Sequence, residues 1–294
     1  MTLRQRIIVA SVSAALMGCA SPVHMSENVD QTAKDKAAGE INNADNWVPR
    51  FVTDEDAEKK VLEVYAKLLP GATRLCRQLG EDECGWDIRY SSDPAMNAFA
   101  AGESTIVVKK GILRHAENDD EVAMVIAHEM SHHAANHIDE TIQNAQTGAL
   151  AGAIVMGALA GMAYSGSGYA PAYNQHQINN AVNSGAQAGA AIGQLSFSKG
   201  QENEADYLAA YILYRGGFDL QNARSMWVKM GRLGTTEHGE RHSVNTHPDP
   251  AERLARWDAT FKEIALNGGA LPKPSLERVR AGSDNPEGPL DAFR

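Results

Sequence analysis

The sequence lacks an excess of basic residues. Its 27 lysines and arginines are outnumbered by 37 aspartates and glutamates, which gives a formal net charge of −10. A general nucleic-acid-binding protein carries a basic patch, so this balance argues against that class and we expect no nucleic-acid partner. The sequence also has no internal repeat. Its 43% of hydrophobic residues is ordinary for a soluble protein with a buried core.

A long hydrophobic run is missing at the amino terminus. The apolar stretch there extends only from Ile7 to Leu16, whereas a membrane-spanning helix needs about 20 residues. Arginines precede it and small residues follow it, which predicts a signal peptide over 1–18. The ending Leu-Met-Gly-Cys is similar to a bacterial lipobox and predicts lipidation of Cys19. The alternative is a plain secretory signal cleaved nearby.

Lipidation of Cys19 would hold the chain firmly on a membrane, because each buried methylene of an acyl chain contributes about 0.8 kcal/mol. The residue after the cysteine is Ala20 and not aspartate, which in lipoproteins generally goes with the outer membrane. We therefore expect the periplasmic face of the outer membrane as the location. The sequence leaves the oligomeric state open.

Cysteine is scarce, with three in the chain. If Cys19 carries lipid, Cys76 and Cys84 remain, in a compartment where disulfides persist. We predict that these two form a disulfide bond, which would stabilise the fold by about 2–3 kcal/mol. The alternative is a pair of free thiols.

Composition divides the rest of the chain into segments. Residues 19–51 are polar, with few large apolar side chains, and predict a tether between lipid and domain. A domain over 52–266 follows, and within it 148–195 is rich in glycine and alanine. This insertion is interpreted as mobile helices or a lid, with an oligomer or membrane contact as alternatives. A disordered tail is predicted over 267–294.

Periodicity within the domain predicts an α+β fold that is mostly helical, with a small sheet. A helix begins near residue 54 and is expected to end at Pro70-Gly71. Three short strands are expected between 85 and 109, and a short helix over Gly111–Ala116. Further helices are predicted within the stretches 118–140, 198–217 and 218–234 and from about Pro250 to Leu266, the last with Leu254, Trp257, Phe261 and Ile264 facing inward.

The stretch His128-Glu129-Met130-Ser131-His132 matches the pattern H-E-x-x-H within one of these helices. Residues four apart point the same way, so both imidazoles can bind one metal ion. Glu129 is turned by about 100° from that face and can act as a general base instead. Chance yields about 0.02 such matches in a chain of this composition. A solvated polar turn is the alternative.

A catalytic zinc site needs another protein ligand and an open position. The longer pattern with a third histidine is excluded, because Ile138 occupies the ligand position and Ala135 the glycine position. His137 is one residue out of register. His133 points away from the face that carries the two ligands.

A carboxylate from a separate helix is the remaining option for the third ligand. Glu202 and Asp206 are four apart and share a face, whereas Glu204 points elsewhere. With Glu202 as ligand, Asp206 would accept a hydrogen bond from a ligand imidazole. The alternative is that these acids simply suit the positive end of a helix dipole.

Together, "HEMSHH", "ENEAD" and "THPDPAERL" resemble the gluzincin metallopeptidases of the HtpX and CAAX-prenyl-protease type. The resemblance covers about 52–266 and is strongest to periplasmic lipoprotein members such as LoiP and BepA, without a helical repeat (TPR) domain. "NAFA" at 97–100 is similar to the strand that precedes the active helix in this family. The resemblance implies a zincin-type metallopeptidase domain whose active-site helix carries H-E-x-x-H.

The same resemblance implies one Zn²⁺ per chain, held by His128, His132 and Glu202, with Glu129 as the catalytic base. His247, in the His-Pro that precedes the last helix, is the candidate donor to the oxyanion, and Arg253 a weaker one. Two alternatives for His247 are a contact with the metal that keeps the site latent and a turn histidine without a role.

The expected function is a zinc endopeptidase that cleaves unfolded or misassembled envelope proteins, in protein quality control. Such substrates would add as an extra strand to the strand near 96–101. One alternative is a chaperone or assembly-factor lipoprotein with a latent protease site. Another is a lipoprotein whose zinc is purely structural.

Overall fold

The structure is a computed structural model that describes residues 24–45, 47–102, 104–143, 197–234 and 250–274. The labelled helices and strands lie within one compact unit, drawn from 21–138 and 193–294. The signal peptide, Cys19, His247, the 148–195 segment and the tail beyond 274 lie outside the described residues.

Helices dominate the described chain, and the only strands among the described residues form one small sheet. In chain order the elements are α1 (Gln31–Asn43), α2 (Asp54–Gln78), β1 (Asp87–Ser91), β2 (Ala98–Ala101), β3 (Thr105–Lys109), α3 (Lys110–His115), α4 (Asp119–Ala134), α5 (Lys199–Arg215), α6 (Leu220–Gly234) and α7 (Pro250–Asn267). Residues 137–143 are also helical. The predicted mostly helical α+β class is confirmed, including the three strands between 85 and 109.

The sheet has the order β1-β3-β2, so β2 lies at an edge of the described sheet. β1 runs parallel to β3, and β2 runs antiparallel to it with Ala98 opposite Val108. The Lys109 N–H donates to the Asn97 carbonyl at 3.0 Å. Because bonded and non-bonded pairs alternate in an antiparallel ladder, the N–H and C=O groups of Ala98 and Ala100 point away from β3, although both residues are buried.

The core forms around α4, which packs against α2, α5, α6 and the edge strand β2. Almost every residue of α4 is buried, so its apolar positions are not confined to one stripe. A helix that is hydrophobic on all sides belongs in the centre of a domain. Polar side chains on such a helix must therefore find partners inside the protein.

The prediction that α2 ends at Pro70-Gly71 is wrong, because the helix continues to Gln78. Ala72 and Leu75, beyond the proline, are fully buried, and their burial outweighs the hydrogen bond that a proline removes. Gly71 allows a close helix approach, since a Cβ there would lie 3.0 Å from the Cβ of Arg215. Gly71 and Arg215 thus form a packing contact between α2 and the end of α5.

Part of the segment predicted as a tether, over 19–51, is folded in the described residues. Residues from His24 onward are folded, Met25 is 1% exposed, and α1 packs against α7 and α6 through Ala37 and Ile41. Few apolar residues suffice because the contact is close. A side chain at Gly231 in α6 would lie 3.0 Å from the Ile41 side chain.

Partly buried ion pairs hold α1 in place and explain why its composition was misleading. Arg224 of α6 bridges Glu40 of α1 at 2.7 Å and Asp258 of α7 at 2.9 Å. On the other side, Lys34 of α1 donates to Glu252 of α7 at 2.8 Å. Ion pairs with helices distant in sequence thus take the place of a wide hydrophobic stripe on α1.

Two smaller expectations for the carboxyl-terminal region also differ from the structure. Leu254, Trp257 and Ile264 of α7 are buried as predicted, but Phe261 is 37% exposed. The ordered chain continues past 266, with Leu271 packed against the core.

We predict that Glu252 makes stability depend on acid pH. Burial raises the pKa of this carboxyl, but Lys199, Lys34 and Arg256 lower it to about 2, from 4.5. A lowered pKa contributes stability above the unfolded-state value, which is lost as pH falls toward 2. Glu252→Gln should therefore lower the free energy of unfolding by up to roughly 3 kcal/mol at pH 7, since each pKa unit is worth about 1.36 kcal/mol.

Urea denaturation of the metal-free protein at pH 7, 4.5, 3 and 2 measures this difference. It should shrink below about 1 kcal/mol at pH 2, where the carboxyl is half protonated in the folded state. Glu63→Gln, at a half-exposed position on α2, is the matched control and should change little. A Glu252 difference that stays constant from pH 7 to pH 2 would contradict the assignment.

The structure contains the bond between Cys76 and Cys84. It joins the last turn of α2 to the loop that leads into β1. Among the described residues, no helix combines the length and apolar character needed to cross a bilayer.

Candidate metal centre

Helix α4 places two histidines side by side in the protein interior. It begins after Asn118, whose side chain accepts the Glu121 N–H at 3.0 Å, and three acidic residues in its first turn suit the positive end of the helix dipole. His128 and His132, one turn apart, are 4% and 0% exposed. Their Nε2 atoms lie 3.1 Å from each other.

Helix α5 brings a carboxylate to the same point. Its start is defined by a capping box, in which Ser198 and Gln201 satisfy each other's backbone N–H groups. One turn later, Glu202 is 1% exposed. Its carboxylate oxygens lie 3.5 Å from Nε2 of His128 and 3.7 Å from Nε2 of His132.

These three donors fit a zinc ion. Bonds of 2.0–2.2 Å at tetrahedral angles require donor atoms about 3.4 Å apart. The observed separations bracket this value, and the three residues can each present one ligand atom within 4.8 Å of the others. Two imidazoles and one carboxylate are also the donor set of open catalytic zinc sites.

Asp206 supports the group from behind, where the sequence placed it. Its carboxylate lies 2.8 Å from Nδ1 of His128 and accepts two hydrogen bonds from Arg253 of α7, both at 2.7 Å. Burial raises the pKa of Asp206, but the charge and hydrogen bonds of Arg253, with His128, lower it to about 2. Asp206 is therefore ionised and can only accept, so the His128 Nδ1 carries the proton and Nε2 is left to bind metal.

Arg253 contacts two of the carboxylates at this site. Besides Asp206, it lies 3.3 Å from Glu202, and its guanidinium stacks over the Trp227 ring at 4.1 Å. Burial lowers the pKa of Arg253, but Asp206 and Glu202 raise it above its ordinary value. Its expected role, as the weaker of the two candidates for the oxyanion donor, stays a prediction.

Glu129 lines a pocket beside the histidines. The pocket is bounded by α4, the start of β2, α6 and α7, and Glu129 shares it with Asn97, His128, Trp227 and Arg253. Because Glu129 is the residue after His128 on the helix, its side chain projects from a different side of α4 than the side chains of His128 and His132. A group placed there can exchange protons with a molecule in the pocket.

Sequence reasoning missed two residues behind His132. His137 was predicted to lie outside the ligand set, and its Nδ1 lies 3.1 Å from Nδ1 of His132. Glu204 does point elsewhere than Glu202, and its target is Nε2 of His137 at 3.2 Å. The signal in the sequence was the spacing of Glu202, Glu204 and Asp206, three acids on one buried helix, each of which needs a partner.

The remaining histidine of the motif region is not at the metal centre. His133 is half-buried, and its Nε2 faces the Thr105 carbonyl of β3 at 3.1 Å. It thus joins α4 to the sheet. This position agrees with the expectation that it points away from the face that carries the two ligands.

Comparison with known proteins decides the family. The model of peptidase family M48 matches residues 66–260, about two thirds of the chain, and includes every residue of the cluster. The chain belongs to peptidase family M48. Its M48 domain is that of a metal-dependent endopeptidase, which agrees with the ligand geometry around His128 and His132.

Individual relatives of the M48 domain fall into two groups by name. Mitochondrial metalloendopeptidase OMA1 of Arabidopsis thaliana is 32% identical over 168 residues, 57% of this chain and 30% of that protein. Beta-barrel assembly-enhancing protease of Yersinia pestis is 32% identical over 160 residues, 54% and 31% respectively. OMA1 of Schizosaccharomyces pombe is 27% identical over 224 residues, 72% of this chain and 61% of that protein. The chain thus spans between about a third and three fifths of these relatives.

Proposed function

We propose that this chain is a zinc-dependent endopeptidase of the bacterial cell envelope that hydrolyses unfolded or misassembled envelope proteins. One observation carries the proposal. Three buried donors, from His128, His132 and Glu202, converge at zinc-like separations next to a pocket that Glu129 lines. One ion per chain occupies this site in the proposal.

The chemistry divides between the ion and the chain. When bound, zinc supplies a Lewis acid that polarises the scissile carbonyl and makes a water molecule acidic at neutral pH. Glu129 accepts the proton of the attacking water at its carboxylate and passes it to the leaving amine. His128, His132 and Glu202 hold the ion, and Asp206 orients His128.

We assign the oxyanion donor to His247, on the family resemblance alone. It immediately precedes Pro248 and lies three residues before the start of α7 at Pro250, and α7 carries Arg253 into the metal centre. A histidine there would be close in sequence to the site. With Arg253 engaged by carboxylates, His247 is the remaining candidate of the two.

The edge position of β2 in the described sheet supports an extended substrate. The backbone groups of Ala98 and Ala100 point away from β3, on residues that are buried in this structure, and β2 leads from the pocket residue Asn97. A polypeptide that adds to this edge must be extended for several residues. Folded surfaces rarely offer such a segment, so unfolded chains are the preferred substrates.

The location rests on the amino terminus. Residues 1–18 are proposed to be a signal peptide, and Cys19 the lipidated residue that attaches the chain to the periplasmic face of the outer membrane. Since the fold already includes His24, only a few residues separate lipid from the peptidase domain. The lipobox-like ending favours the envelope over the mitochondrial location in the name of one group of relatives.

The test compares one polypeptide in two states. The zinc-loaded protein is incubated with a small disulfide-bonded protein, either native or reduced and alkylated. We expect the unfolded form to be cleaved at least about a hundredfold faster, because a stable substrate exposes its backbone only in its rare open state. A chelator should stop both reactions. Equal rates for the two forms would contradict a preference for unfolded chains.

Assembly of envelope proteins is a second candidate function. It is favoured by one set of relatives whose name combines beta-barrel assembly with protease activity. The same experiment distinguishes it. A protein that binds the unfolded form stably but does not cleave it would be an assembly factor with a latent site.

A further inference from the structure

The two ligand histidines have different support. His128 contacts Asp206 directly, whereas Nδ1 of His132 faces another imidazole, that of His137. His137 in turn faces Glu204. Each histidine is thus connected to one carboxylate of α5, but His132 only through an intervening ring.

Hydrogen-bond roles along this chain of contacts can be assigned from its carboxylate end. Glu204 accepts the His24 backbone N–H at one oxygen, at 2.7 Å, and faces Nε2 of His137 with the other, at 3.2 Å. An ionised carboxylate only accepts, so Nε2 of His137 carries a proton. In a neutral imidazole the other nitrogen, Nδ1, is then an acceptor.

The acceptor on His137 determines the form of His132. Nδ1 of His132 must donate to it across 3.1 Å, and this leaves Nε2 of His132 without a proton. That Nε2 lone pair is directed to the point where His128 and Glu202 converge. The tautomer of His132 that metal binding requires is therefore set by Glu204, which acts on it through His137.

We propose that Glu204 and His137 are positioning residues that hold His132 in its metal-binding tautomer and orientation. The inference rests on the proposed zinc site, and it gives the H-E-x-x-H motif two carboxylate supports, one direct and one relayed. The segment before α1 also takes part, because the His24 N–H occupies the second oxygen of Glu204.

Burial and packing make the relay stable. His132, His137 and Glu204 are 0%, 1% and 3% exposed. Phe197 stacks on the His132 ring at a centroid distance of 3.8 Å, which leaves the ring little freedom to turn. A buried series of polar side chains is costly unless every member has a hydrogen-bond partner. Removing one member should therefore lower the affinity of the site for zinc.

The test measures zinc affinity by competition with a chromophoric chelator, using the full chain. His137→Phe keeps a ring but removes both hydrogen bonds, and we expect zinc affinity to fall 10–100-fold, the usual cost of losing such outer partners. Glu204→Gln should lose a similar amount. His137→Gln provides one acceptor and one donor, so we expect it to recover most of the affinity.

Controls separate positioning from folding. His115→Phe makes the same exchange at a histidine bonded to Trp47, away from the metal, and should leave zinc affinity unchanged. Melting of the zinc-free proteins reports folding, and the cobalt-substituted proteins report ligand geometry by their visible spectra. If His137→Phe does not fold, Glu204→Gln decides.

Two outcomes would overturn the proposal. One is native zinc affinity in both His137→Phe and Glu204→Gln. The other is an equal loss in His137→Gln and His137→Phe, which would mean that restoring the hydrogen-bonding groups does not restore zinc affinity. If the unaltered protein binds no zinc, the proposed metal site itself fails, which is a distinct result.

Discussion

Replacement of Glu129 by glutamine is expected to lower kcat for peptide cleavage by about 10²–10⁴, the contribution of a positioned general base. The amide has the shape of the carboxylate but cannot accept the water proton. Because Glu129 is turned away from the ligand face of α4, zinc content should stay at that of the unaltered protein. Single-turnover cleavage of an unfolded substrate, with metal analysis of the same sample, checks both parts.

Glu63→Gln provides the control for this experiment, since Glu63 lies half-exposed on α2, paired with Lys59 and Lys60. It should retain full activity. Cleavage by Glu129→Gln at the rate of this control would remove Glu129 from the mechanism. Loss of zinc from Glu129→Gln would instead point to a structural fault, and the kinetic result would then say nothing about proton transfer.

Glu202→Gln is expected to abolish tight zinc binding and, with it, cleavage. A neutral amide is a poor zinc ligand, and two histidines alone do not make a catalytic site. In the unaltered protein, free zinc at 100 times its Kd should stabilise the fold by about 2.7 kcal/mol, because only the folded state binds it. For a chain of this size that corresponds to a rise in Tm of roughly 5–10 °C.

The Glu202→Gln variant should show no such rise, while its zinc-free Tm stays close to that of the unaltered zinc-free protein. The substituted amide keeps the volume of the side chain and can still accept a hydrogen bond from Arg253, which limits damage to the fold. Calorimetry with and without zinc makes the measurement. A zinc-dependent rise in Tm that survives Glu202→Gln would assign the third ligand to another residue.

Local patterns were the reliable part of the sequence. The helix that carries His128 and His132 is indicated by its cap at Asn118 and by its apolar positions, all within a few residues. The three strands are likewise indicated by alternation and turn residues nearby. Such features depend on neighbours in the chain, so no knowledge of distant contacts is needed.

Patterns that depend on distant partners were misjudged. Pro70 was taken as a helix end because its local effect is unfavourable, yet burial of Leu75 against the core keeps α2 intact. The polar stretch around α1 was taken as a tether because it has few apolar residues. Arg224 and Glu252, almost two hundred residues away or more, supply the charges that bind it.

The sequence by itself determined that two imidazoles and a general base share one helix, because helical spacing alone fixes the relative directions of His128, Glu129 and His132. It also determined that a second helix carries several acidic residues. Only the tertiary structure decided which acid meets which histidine. Glu202, Glu204 and Asp206 lie in one turn and a half of α5, and the packing of α5 on α4 directs them to different partners. Packing angle and depth are properties of the whole core, so they cannot be read from either helix alone.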